Sequence, residues 1–223
     1  MRIIAFTLGL VLGSGVAVMA QPADHPVTAQ PADHPAIAQP ADYPLMAQPA
    51  DHPAVQIAGL WWMQENLSVT RYQNGDSIPD GTADHAAWAQ LSTGAWAYPD
   101  SQVALRRSFG LLYNWYAVND PRGLCPTGWR LPTHDEWTAL TQALGGETKA
   151  GAVLKARQGW LPAGFRGSDG TYGGLGAYAY WWSSTGSGIN GAWGRFVDGT
   201  QSGIFMMDGY KRSAFSVRCV AKR

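Results

Sequence analysis

Residues 21–56 repeat one nine-residue unit four times, and that unit cannot build a core. The copies begin Gln21-Pro-Ala-Asp-His-Pro, Gln30-Pro-Ala-Asp-His-Pro, Gln39-Pro-Ala-Asp-Tyr-Pro and Gln48-Pro-Ala-Asp-His-Pro. Each carries two prolines, which remove backbone donors and bias the preceding residue away from helix. The apolar residues between them are small and sparse. We therefore expect a disordered, polyproline-II-like spacer over residues 21–55. At ~3.1 Å per residue, about 35 such residues reach roughly 100 Å. His25, His34 and His52 recur and invite a metal reading, but Tyr43 takes that place in the third unit. An extended chain also does not converge ligands, so the spacer reading is preferred.

Ahead of the repeats, Arg2 is followed by an uncharged apolar run, Ile3 to Val18, and by Ala17-Val18-Met19-Ala20. Small residues at −3 and −1 after a short apolar run are the layout of a secretory signal peptide. The run is short of the ~20 residues a membrane span needs, and Gly9, Gly13, Ser14 and Gly15 interrupt it. We expect cleavage after residue 20 and no transmembrane segment in the mature chain. No Cys sits near the cleavage point, so a lipid-anchored form is not expected. The expected location is secreted, periplasmic or cell surface.

From residue 56 to 223 the composition changes to that of one globular domain, large enough to bury a full core. Lys and Arg total 16, as do Asp and Glu, so the net charge is zero. No basic stripe is present to collect nucleic-acid phosphates or a charged membrane surface. Eleven Trp and 27 Gly are many for this length; Trp can either fill a compact core or stud a binding surface.

The two cysteines are Cys125 and Cys219. In an oxidising compartment an even count favours a disulfide. Such a bond would close a loop of about 95 residues and contribute about 4–5 kcal/mol through the unfolded chain. A metal or redox pair would call for closer spacing such as Cys-x-x-Cys, which is absent.

The patterning predicts an α+β domain. Val55 to Met63 reads as an opening strand, and residues 70–107 as mostly loop, with Asn74-Gly75 and Asp80-Gly81 as turns. Leu111, Trp115 and Val118 lie at helical spacing, which predicts a helix over 110–118. Thr133 and Glu136 form a capping box ahead of Trp137, Leu140 and Leu144, with Gly145-Gly146 as the stop. A second short helix is expected near 150–157. Tyr180 to Ser184 reads as a strand. Ala192 to Val197 and Thr200 to Met207 read as a hairpin turning at Asp198-Gly199, and Phe215 to Val220 as a closing strand.

Five motifs occur in order: Trp62-Met63-x-Glu65-Asn66-Leu67; Gly110-Leu-Leu-Tyr-Asn-Trp-Tyr116; Cys125-Pro-x-Gly-Trp-Arg-x-Pro132 with Glu136-Trp137; Trp181-Trp-Ser-Ser-Thr185; and Phe215-Ser-Val-Arg-Cys219. Together they resemble the Fibrobacter succinogenes major paralogous domain, a bacterial exported module, over about 55–220. The resemblance implies a C-type-lectin-like single domain with two short helices and a twisted antiparallel sheet. It also implies kinship at the level of fold with formylglycine-generating enzymes. Those enzymes use a reactive cysteine pair; here Cys125 and Cys219 match the family's disulfide-like positions, and no third thiol is present. Gly159-Trp160 also runs straight into Leu161 to Gly167, where family members often carry a longer loop.

No catalytic set stands out. His85 and His134 are the only histidines after the repeats, and both read as surface residues. Calcium would need six to eight converging oxygens, and Asp169, Asp198 and Asp208 are scattered turn residues. The lectin Trp-Asn-Asp signature is missing, so no cofactor is expected. What remains is a binding surface. Asn190, Trp193, Arg195, Gln201, Tyr210, Lys211 and Arg212 lie on glycine-rich loops and strand faces, and suit a glycan or protein ligand. The alternatives are a structural envelope protein, or a receptor-binding protein diversified in this C-terminal region by a retroelement, as occurs in some lectin-like folds.

Overall fold

The computed structural model describes residues 51–157 and 159–222. The expected signal peptide and most of the spacer lie outside the described residues. The strands are β1 (Ala54–Ile57), β2 (Leu60–Met63), β3 (Trp96–Ala97), β4 (Leu112–Asn114), β5 (Trp129–Arg130) and β6 (Ala163–Arg166). They continue as β7 (Tyr172–Leu175), β8 (Tyr178–Gly186), β9 (Gly191–Asp198), β10 (Phe205–Tyr210), β11 (Ala214–Phe215) and β12 (Val220–Ala221). The helices are short: α1 (His85–Trp88), α2 (Arg106–Phe109), α3 (Trp115–Val118), α4 (His134–Ala143) and α5 (Ala150–Lys155). One sheet runs β1-β2-β12-β5; the other runs β10-β9-β8-β6-β11-β4-β3, with β7 on β6. Pairing between the strands is antiparallel except for β6–β8, and two isolated bridges, Asp80–Trp96 and Trp181–Ser216, are also parallel. The domain is therefore α+β, with few short helices and mostly antiparallel sheets.

Several elements differ from their sequence expectation, each for a local reason. The opening strand is a hairpin, because Ala58 and Gly59 both take positive φ (51° and 74°), as a two-residue primed turn requires. The helix expected over 110–118 is strand β4 followed by the single turn α3. Gly110 (φ 75°, ψ −151°) cannot start a helix, and Asn114 caps α3 by accepting from the Ala117 amide. The Asp198-Gly199 turn is wider than a two-residue hairpin: Asp198 Oδ1 accepts from the Thr200 amide at 2.7 Å, and β10 starts only at Phe205. Asp80-Gly-Thr82 and Asp169-Gly-Thr171 use the same side-chain turn. The closing strand is split. Phe215 pairs with Tyr113 in the large sheet and Val220 with Trp62 in the small one, and residues 216–219 carry the chain between them.

The capping box at α4 forms as expected, with both of its reciprocal bonds present. Glu136 also takes a bidentate grip from Arg130, at 2.7 and 2.5 Å. Thr133→Ala should cost about 1 kcal/mol, read as a shift of the urea midpoint at constant slope.

Nine of the eleven Trp are buried; Trp61 and Trp193 are half-buried. Trp62, Trp137, Trp160 and Trp181 form one cluster with α4 and α5, while Trp129, Trp182, Tyr113 and Phe215 gather with the cysteines in another. Several indole N–H groups donate to distant acceptors: Trp182 to the Tyr113 carbonyl (2.8 Å), Trp88 to that of Arg212 (2.8 Å) and Trp181 to Asn66 Oδ1 (3.0 Å). Most of the tryptophan is therefore core, and it stitches segments far apart in sequence.

Arg218 is buried and forms no salt bridge among the described residues. It donates to the Met63 carbonyl (2.9 Å), Asn66 Oδ1 (2.8 Å) and the Gly159 carbonyl (2.6 Å), and its guanidinium lies 4.0 Å from the Trp160 ring centre. Burial pulls its pKa down to about 9, still above neutral pH, so a cation sits in the core. Asn66 completes the hub by donating to the Phe109 carbonyl and Ser216 Oγ. The first and last of the five sequence motifs meet here. Arg166 repeats the arrangement between the rings of Trp88 and Tyr172.

Candidate functional site

The β9–β10 hairpin forms one end of the large sheet, with β10 as its edge strand. Its register pairs Arg195 with Met206, Trp193 with Asp208 and Gly191 with Tyr210. Side chains alternate along a strand and paired residues share a face. Trp193, Arg195, Met206, Asp208 and Tyr210 therefore share one face. Phe196, Phe205 and Met207 share the other, which turns toward Tyr180, Trp182 and Phe215. Exposure on β10 follows the same alternation.

The outer face exposes several large apolar side chains around one carboxylate, Asp208. Met206 is 48 % and Tyr210 55 % exposed, and Ile189 on the adjoining β8–β9 loop is 91 % exposed. They are three of the six large hydrophobic residues exposed among the described residues. Trp193 lies half-buried between this face and α4, its ring 5.4 Å from that of His134. His134 is thus a partly buried contact of the hairpin, a correction to its expected place on the open surface.

Arg195 is buried beneath the first turns of α4. It donates to Thr138 Oγ1 at 2.8 Å and to the Gly194 carbonyl at 3.2 Å, and one amino nitrogen lies 3.4 Å from His134 Nδ1. Burial lowers its pKa to about 10. Arg195 holds the hairpin to the helix and supports Trp193; it does not reach outward.

The other candidates sort by position. Lys211 donates to the Gly188 and Ile189 carbonyls, both at 2.9 Å, and lies over the Trp115 ring, while its amide donates to the Asn190 carbonyl. It fixes the 187–190 loop and so presents Ile189 and the exposed Asn190 beside Tyr210. Gln201 sits on the 199–204 loop at the opposite end of the hairpin, bonded to Asp198. Arg212 points away, to the Ala89 carbonyl behind α1 (2.5 Å). The structure brings Trp193, Arg195, Tyr210, Lys211 and Asn190 together, and leaves Gln201 and Arg212 apart.

The acidic candidates are committed to turns. Asp169 and Asp198 accept from Thr171 and Thr200 through both amide and hydroxyl, which holds each carboxyl below its usual range. Asp208 accepts from Ser187 Oγ at 2.5 Å. Among the described residues no three His, Cys, Asp or Glu side chains cluster.

Two clefts were not foreseen from the sequence. One, of about 390 Å³, is bordered by Ser77, Thr93, Trp115, Tyr116 and Arg122; the other, of about 690 Å³, by Gln73, Trp129, Arg130, Glu136 and Lys222. Both share Asn119, Asp120 and Pro121, and none of the seven sequence candidates lines either. The only sequence signal for them is the turn cluster Asn119-Asp120-Pro121-Arg122-Gly123.

Fold and site together define a disulfide-closed, tryptophan-cored α+β module that presents a hairpin face and a pair of clefts. The chain belongs to the family of the Fibrobacter succinogenes major domain, whose family model matches residues 55–221. No curated protein and no solved structure matches the chain.

Proposed function

We propose that the chain is an exported, non-enzymatic recognition or surface-display module that binds a glycan or protein ligand through the outer face of its β9–β10 hairpin. The observation that carries this reading is that Met206, Tyr210 and Ile189 are exposed at a strand edge beside half-buried Trp193, with the exposed carboxylate of Asp208 among them. Contiguous exposed apolar groups rimmed by polar residues mark contact surfaces, and aromatic anchors dominate such contacts. Methionine and isoleucine on that face favour a protein over a sugar. The hairpin is hydrogen-bonded along its length to β8, which lowers the backbone ordering a ligand must impose.

The non-enzymatic part rests on chemistry. Both cysteines are tied in one disulfide, so the thiol chemistry of formylglycine generators has no reduced pair to use. His134 is packed against Trp193, and His85 against Tyr172. A glycan array and a screen against secreted proteins test the proposal, with binding as the expected result. Turnover of a substrate, lost on replacing His85 or His134, would overturn it. The structural-envelope alternative predicts retention in washed envelopes and silence in both screens.

A further inference from the structure

The two clefts flank a ridge made of Asn119, Asp120 and Pro121, and because they share these residues a ligand lying across the ridge touches both. The ridge is held rigidly. Arg122 grips Asp120 through Nε and Nη2, both at 2.8 Å, and reaches Asp76 at 3.1 Å. Its guanidinium lies 4.1 Å over the Tyr72 ring, and the Gln73 amide donates to the Gly123 carbonyl at 2.9 Å. Little ordering remains to be done when a ligand arrives.

In the first cleft the charges cancel, and the second adds one matched pair and one exposed cation, Lys222. Asp120 is answered by Arg122 and Glu136 by Arg130, each through two hydrogen bonds. A paired carboxylate neither draws a cation strongly nor leaves a free guanidinium for an anion. In the first cleft the groups that remain are hydroxyls and amides, from Ser77, Ser92, Thr93 and Asn119, beside the aromatic Tyr116. Such a neutral set, with acceptor lone pairs left on the paired carboxylates, matches a ligand rich in hydroxyls whose C–H faces can lie on a ring. The volumes fall within the range of small-ligand sites.

The geometry points to a second binding site, distinct from the hairpin: a groove for a neutral oligosaccharide laid across the Asn119–Pro121 ridge. It goes beyond the hairpin reading and shares none of its residues. The test titrates the full chain with neutral hexasaccharides of glucose, xylose, mannose or galactose, following tryptophan fluorescence, with oligogalacturonate as the charged control. At least one neutral sugar saturates the signal at up to millimolar concentration, and the charged one does not. Asn119→Trp, which fills the groove from an exposed position, abolishes the response. Tyr116→Ala weakens binding about tenfold, the loss of one aromatic contact. Tyr210→Ala changes nothing, and melting curves show that each variant is folded. The inference is overturned if no neutral sugar saturates, if oligogalacturonate binds as tightly, or if Asn119→Trp binds like the parent. Sugar binding lost with Tyr210→Ala but kept with Asn119→Trp would also overturn it and place the sugar on the hairpin. A protein ligand held by the hairpin, with no sugar response, would sink the groove alone.

Discussion

Replacing Cys125 and Cys219 together by serine is expected to cost about 4–5 kcal/mol of stability, the loss of a staple across a long loop. The two Cα atoms lie 6.1 Å apart and 94 residues apart in sequence. The loop between them holds α4, α5 and most of the large sheet. Cys219 sits where the chain crosses from one sheet to the other, and its carbonyl accepts from the Met63 amide at 3.0 Å. Without the bond, the crossing segment is held to the Cys125 side by the pairing of β12 with β5, the Lys222 amide on the Gly128 carbonyl, and core packing. For a domain of this size the loss corresponds to a melting temperature lower by roughly 10–20 °C. Thermal unfolding of the double variant, and of the parent in reductant, checks this. A parent that melts at the same temperature with and without reductant would remove the disulfide from the account.

The second large effect is expected at Arg218. Arg218→Ala removes a buried cation and opens a cavity beside Trp160. It also strands the Met63 and Gly159 carbonyls, which have lost their donor. Unsatisfied buried acceptors cost about 1–3 kcal/mol each, and the cavity adds to them, so a loss of about 3–5 kcal/mol follows. Arg218→Met restores most of the volume but no donor, and should recover about half of it. Asn66 keeps one donor, the Trp181 indole, in either variant. Urea unfolding of the three proteins separates the terms. If the methionine variant equals the parent, the guanidinium is not the hub described here.

How much of this was legible in the sequence follows from where the controlling forces act. The α4 capping box was readable because both its partners lie within four residues. The disulfide was readable because two cysteines allow one pairing. The β1–β2 hairpin was not, since Ala58 carries no turn preference and takes positive φ only because its strands pair. The helix expected over 110–118 had the right spacing for the wrong reason. Leu111 and Val118 are buried in one cluster, but from just before β4 and from the end of α3, not from one helical face. Most of the candidate surface came from reading aromatic and polar residues on the last strands, and Trp193, Tyr210 and Lys211 do converge. Arg195 shows the limit of that reading: burial under α4 depends on a helix sixty residues away, which no local pattern reports. The clefts were hidden for the same reason, because their walls join segments from residue 73 to residue 222.

The central claim is that the outer face of the β9–β10 hairpin is the recognition surface. Its most direct test is a side-by-side binding screen of the parent and a Trp193→Ala/Tyr210→Ala double variant against the same glycan array and secreted-protein library. Two anchors removed from one contact should weaken binding of any ligand the parent retains, apart from a neutral oligosaccharide held in the Asn119–Pro121 groove, by about thirtyfold or more. The variant should still show a single cooperative melting transition. Equal binding of every such ligand by the two proteins, or none retained by the parent outside the groove, would contradict the account.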